Sequence, residues 1–144
     1  MMTKSQIQKW LKTAAMIVIL FGPVVSFAAH PATSGLNGLF VDLAFWPFDG
    51  NPPMDASATR LISAIAGGLT MGWGTMILLI ATKLYHKEPE LARSIILTSV
   101  IVWFVTDSAG SVVAGAPANV MINVIFLLMF LIPLVVTSKQ APSH

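Results

Sequence analysis

The chain has no cysteine, a single tyrosine and little charge: of its 144 residues, 10% are Asp, Glu, Lys or Arg. Without cysteine there is no disulfide framework, no thiolate metal site and no thiol nucleophile. A soluble domain carries roughly 25% charged residues, so the shortage argues against a water-exposed globule. The net charge of +2 is too small for a nucleic-acid surface, and no nucleic-acid partner is expected. His30, His86 and His144 are scattered. The HExxH spacing is absent, as is a phosphate-binding glycine motif with its lysine. No metal, no cofactor and no catalytic residue are therefore expected.

What is abundant is hydrocarbon. Hydrophobic residues make up 56% of the chain, and its mean hydropathy is +0.80. A membrane helix needs about 20 mostly apolar residues, and residues 10–29, 61–85, 94–115 and 117–137 meet that condition. The expected fold is an all-α membrane protein: one polytopic domain over residues 1–144, with four transmembrane helices and an external loop at 30–59. The first run has a second reading. Lys4, Lys9 and Lys12 resemble a signal-peptide n-region, the apolar stretch that follows an h-region, and Ser26-Phe27-Ala28 a cleavage site. Three later spans make the protein multi-pass either way, and a retained first helix is the expectation.

The basic residues report orientation. Lys4, Lys9 and Lys12 precede the first span, Lys83, Lys87 and Arg93 flank the second connection, and Lys139 follows the last span. The other side holds Asp42, Asp49 and Asp55 with only Arg60. By the positive-inside rule both termini are expected to be cytoplasmic.

Local signals mark the ends and the loop. Pro89 suits the first helical position, Gly115 a left-handed cap, and Pro117 the opening of the last helix, so the last two spans form a tight hairpin. Pro23 and Pro133 should kink or end their helices. In the external loop, Leu36, Leu39, Phe40, Leu43 and Pro47 follow helical spacing, with Asn37 and Asp42 off the stripe. The segment is too short to span. It reads as a short interfacial helix ending in Phe45, Trp46 and Phe48, or as a hydrophobic loop folded over the bundle.

In lipid, close packing and interhelical hydrogen bonds hold helices together. Ala64, Gly68 and Gly72 form a small-residue stripe in the second span, and Gly110 and Ala114 another in the third. Packing inside the bundle is the expected use, and a homodimer seam the alternative.

One carboxyl lies in the third span. At 1.5 Å per residue, Asp107 is about 12 Å from the cap at Gly115, in the outer half of the membrane. A charge at helix centre costs roughly 2.5–3.5 kcal/mol on insertion scales, which demands partners. Ser111 is close in sequence, Asn119 and Asn123 share a face of the last helix, and Arg60 begins the second span at the same end. Arg60 is expected to pair with Asp107, directly or through water, with the serine and amides capping the pair. Trp73 and Trp103 lie deeper. Arg60, Trp73, Trp103, Asp107, Ser111, Asn119 and Asn123 are therefore the candidate ligand-binding residues, with polar glue between helices as the structural alternative.

Three stretches, "FVDLAFWPFDG" at 40–50, "RLISAIAGGLTMGWG" at 60–74 and "WFVTDSAGSVVAGAPANVMIN" at 103–123, together with the four-span layout, resemble a family of small uncharacterised bacterial inner-membrane proteins, more distantly similar to DoxX-like four-helix proteins. The resemblance implies a fold and a location but no catalytic residue. The functional expectation is a non-enzymatic protein that binds a lipophilic small molecule or membrane lipid, or serves as an accessory subunit of a larger membrane complex. The alternative is a transporter or proton relay using Asp107.

Overall fold

The computed structural model describes residues 2–52 and 54–136, and the end of the expected fourth span at Thr137, together with Lys139 and His144, lies outside them. Five α-helices carry the fold: α1 Lys4–Ser26, α2 Gly35–Phe45, α3 Ser57–Leu79, α4 Pro89–Val113 and α5 Ala118–Val135. All but α2 belong to segments long and apolar enough to cross a membrane. Among the described residues there is no strand.

The punctuation read from the sequence is where the helices turn. Thr3 opens α1 with a capping box, its hydroxyl accepting from the Gln6 N–H while the Gln6 side chain accepts from the Thr3 N–H. Pro89 sits at the start of α4. Gly115 closes α4 at φ 80°; the Ala116 N–H donates to the Ser111 carbonyl and the Gly115 N–H to that of Val112, which is a Schellman cap. Pro23 and Pro133 stand in the last turns of α1 and α5, and both helices run on past them. The carbonyl left without a helical donor four residues before Pro133 belongs to Met129; the Trp10 indole N–H donates to it at 2.9 Å.

The C-terminal end of α3 widens into a π turn over Ile80–Leu84, where the Tyr85 N–H reaches back five residues to the Ile80 carbonyl. That register shift frees the Ala81 carbonyl, and the buried Gln8 side chain of α1 donates to it at 2.8 Å. Two side-chain donors of α1, the buried Gln8 and the exposed Trp10, thus satisfy backbone oxygens that irregular helix geometry leaves without a helical donor.

The helices are tied unevenly. α1 packs most extensively on α3, α4 packs on α5, and a smaller α1–α5 interface joins the two pairs. The apolar core lies at the end that carries Lys9, Lys12, Lys83 and Lys87: Leu11, Ala14 and Val18 of α1, Ile77 of α3, Ile96 of α4 and Phe130 of α5 are all buried in it. At the opposite end the pairs spread, and α3 and α4 barely approach along their backbones.

The α1–α3 seam corrects the expected small-residue stripe. A Cβ at Gly67 would run into the Ser26 hydroxyl and come within 2.5 Å of the Gly22 carbonyl oxygen; one at Gly74 would lie 3.0 Å from the Ile19 backbone. Gly22 and Ser26 of α1 therefore face Gly67 of α3, and Val18 and Ile19 face Gly74. At Gly68, Gly72 and Gly110 a Cβ would meet nothing within 4 Å, and Ala114 is exposed. Of the five expected packing residues only Ala64 joins the seam, its carbonyl accepting from the Ser26 hydroxyl at 3.4 Å. Adjacent glycines define two stripes about 100° apart, and the one with a partner helix is buried.

α2 is inverted relative to a simple surface helix. Leu36, Leu39 and Leu43 are exposed, while Asn37 and Asp42 are 2% and 4% exposed. Asp42 accepts from the Asp49 and Gly50 N–H groups, and Asn37 donates to the Ser63 hydroxyl at 3.5 Å. The leucine stripe thus points away from the bundle and the polar residues knit the loop to itself and to α3.

Candidate ligand-binding site

The site begins with the tight hairpin between α4 and α5. Because the chain reverses at Gly115, residues four apart on α4 face residues four apart on α5. Ser111 stands opposite Asn119, and Asp107 opposite Asn123. The Asn119 amide donates to the Ser111 hydroxyl at 2.9 Å and to Asp107 Oδ1 at 3.0 Å. The Asn123 amide donates to Asp107 Oδ1 at 2.9 Å and to the Ser108 hydroxyl at 3.2 Å. The Ser111 hydroxyl lies 2.8 Å from the Asp107 carbonyl and 3.1 Å from Oδ1, so it shares one proton between them. Donors from three side chains converge on a single carboxylate oxygen.

One helical turn deeper the hairpin becomes aromatic. Trp103 of α4 packs edge-on against Phe126 of α5, with centroids 6.3 Å apart. Trp103 also reaches across the gap to Trp73 of α3, at 5.5 Å, and Trp73 stacks on Phe130. Phe126 continues to Phe21 of α1 at 5.6 Å, and Phe21 to Phe40 of α2 at 5.1 Å. Aromatic side chains from all five helices thus form one wall.

This wall and the carboxylate cluster enclose a recess of about 350 Å³. Val18, Phe21 and Val25 form its α1 side, Ala66, Thr70 and Trp73 its α3 side, and Asp107, Asn119 and Asn123 its polar corner. Phe40 of α2 stands at its outer end. The recess occupies the region where α3 and α4 diverge, so an opening between those helices would face hydrocarbon.

No family model, curated protein or solved structure matches this chain.

Of the seven candidate residues, six gather here: Trp73, Trp103, Asp107, Ser111, Asn119 and Asn123. Arg60 does not. Its guanidinium donates to the Asp55 carbonyl at 2.6 Å and to that of Met54 at 3.4 Å, and among the described residues the one ion pair is Arg93 with Glu90. Carbonyls one turn away in the preceding loop offer a long basic side chain a partner nearer water than Asp107 does. The expected Arg60–Asp107 pair is therefore replaced by an amide and hydroxyl cage. Phe21, Phe40 and Phe126 were not anticipated. Phe126 had a signal, standing three residues beyond Asn123 and hence on the same helix face.

Proposed function

We propose that this is a non-enzymatic protein of a bacterial cytoplasmic membrane, with both termini in the cytoplasm, that holds a small membrane-dissolved lipophile in the recess between α3 and α4. The observation that carries this reading is the recess itself: apolar and aromatic walls with one cluster of convergent polar groups, the usual make-up of a small-molecule site. The lysines at the core end support the orientation. A membrane lipid tail is the default occupant, and a partner subunit covering the α3–α4 opening would act on the same site.

The test uses 1-bromonaphthalene, a hydrophobic heavy-atom quencher, titrated against tryptophan fluorescence of the full chain in micelles. Saturable quenching is expected in the wild type. It should be lost in Ala66→Phe, which fills the recess from α3. Quenching that rises linearly and equally in both proteins would refute the reading.

A second reading, transport or proton relay through Asp107, has one observation in its favour. A groove along α4 carries Ser94, Thr98, Ser99 and Thr106 among the apolar Ile95, Val102 and Trp103 and reaches Asp107. Such a row of hydroxyls would serve as a polar path toward the cytoplasmic end. Proteoliposome proton flux that falls in Asp107→Asn would favour it, and flux indifferent to that change would remove it.

A further inference from the structure

We propose that the recess selects an organic cation: an ammonium group on a hydrophobic body. This rests on the reading of the recess as a ligand site and specifies the chemistry of its occupant. A carboxylate only accepts hydrogen bonds, so the amide nitrogens of Asn119 and Asn123 must be turned toward Asp107. Their amide oxygens are then turned away from it. Among the described residues no donor reaches Asp107 Oδ2, Asn119 Oδ1 or Asn123 Oδ1. No buried side-chain oxygen there lacks a partner, so each of these three oxygens keeps open surface although Asn123 as a whole is only 4% exposed. The polar corner thus offers a guest acceptors and negative charge.

Among the described residues no countercharge stands beside it: no lysine, arginine or histidine of theirs lines the recess, and Arg60 is engaged by the Met54 and Asp55 carbonyls. A phosphate or carboxylate headgroup would bring its charge against Asp107 with no cation to receive it. The remaining walls favour the opposite sign: Trp73, Trp103 and Phe126 present ring faces and edges around the same space, and indole and phenyl faces attract ammonium groups. An N–H on that group would have Asp107 Oδ2 as its acceptor.

Three probes with one benzyl body separate charge from shape: benzyldimethylammonium, its neutral isostere isobutylbenzene, and phenylacetate. Each is used to displace 1-bromonaphthalene from the full chain in micelles, in the wild type and in Asp107→Asn. That substitution keeps an acceptor oxygen for the three converging donors while removing the charge. The ammonium is expected to displace the quencher at about tenfold lower concentration from the wild type than from Asp107→Asn, the weight of one charge-assisted contact. Isobutylbenzene should differ between the two proteins by no more than about twofold, since apolar burial is unchanged. Phenylacetate should be the weakest in the wild type. Should Asp107→Asn not fold, the wild-type comparison of ammonium with phenylacetate decides alone, as both charged probes partition poorly into micelles. Displacement by isobutylbenzene with no preference for the ammonium over phenylacetate would overturn the cation assignment and leave the recess as a neutral site. Absence of saturable 1-bromonaphthalene quenching would remove the recess reading, and the cation assignment with it.

Discussion

Asp107 shows how a carboxyl is accommodated in an apolar segment without a countercharge. Its Oδ1 accepts from two amides and a hydroxyl, and hydrogen bonds to a charged acceptor exceed the average of about 0.6 kcal/mol measured between membrane helices. Asn123→Ala should therefore cost about 1–2 kcal/mol in reversible unfolding from mixed micelles, as it strips a donor from a half-buried charged acceptor. Arg60→Ala should change the same quantity by about 0.5 kcal/mol or less, as expected for an exposed loop contact. If Arg60→Ala were the costlier of the two, the amide cage would not be what holds Asp107. A second residue-scale test concerns Trp10, whose N–H serves the carbonyl that Pro133 leaves free. Trp10→Phe should cost about 1 kcal/mol. Part of that cost should vanish in a Pro133→Ala background, where residue 133 supplies its own N–H, and a double-mutant cycle reads the coupling. Asn119 and Asn123 were legible as partners of Asp107, because i, i+4 spacing and a tight hairpin leave them no other face. Arg60 was misread because sequence depth ranks it beside Asp107 but gives no account of the closer loop carbonyls.

At the scale of elements, the spans and their caps were legible because they depend on local chemistry: apolar length, Pro89 at a helix start, Gly115 at a helix end. Interfaces were not, because they depend on which neighbour arrives. Gly67 and Gly68 are adjacent, and only the position of Gly22 and Ser26 on α1 decides which is buried. Gly67→Ala should destabilise the protein by about 1–3 kcal/mol, since the new methyl meets backbone that cannot move aside. Gly68→Ala should be neutral or stabilise by up to about 1 kcal/mol through helix propensity. Equal losses at both positions, measured by thermal unfolding in micelles, would place α1 elsewhere on α3. The interfacial helix was half legible: its length and leucine stripe were plain, but the inward roles of Asn37 and Asp42 depend on the Ser63 hydroxyl and the turn at Asp49 and Gly50.

For the whole molecule, α1 links the two helix pairs. It supplies Leu11, Ala14 and Val18 to the core and the Gly22–Ser26 face to α3. Cleavage after Ala28 would leave α3 without its main partner, so the intact mass of protein extracted from membranes should include residues 1–28. A mature chain beginning after Ala28 would contradict this arrangement. The molecule closes at its lysine-bearing end and opens at the other, and it is this asymmetry that leaves space beside Asp107. The most direct test of the recess as a binding site is an anomalous difference map from crystals grown with 1-bromonaphthalene. A bromine peak between Trp73, Trp103 and Asp107 is the expected result. Peaks confined to outward-facing Leu61, Ile62 or Ile125, with the recess empty, would contradict it.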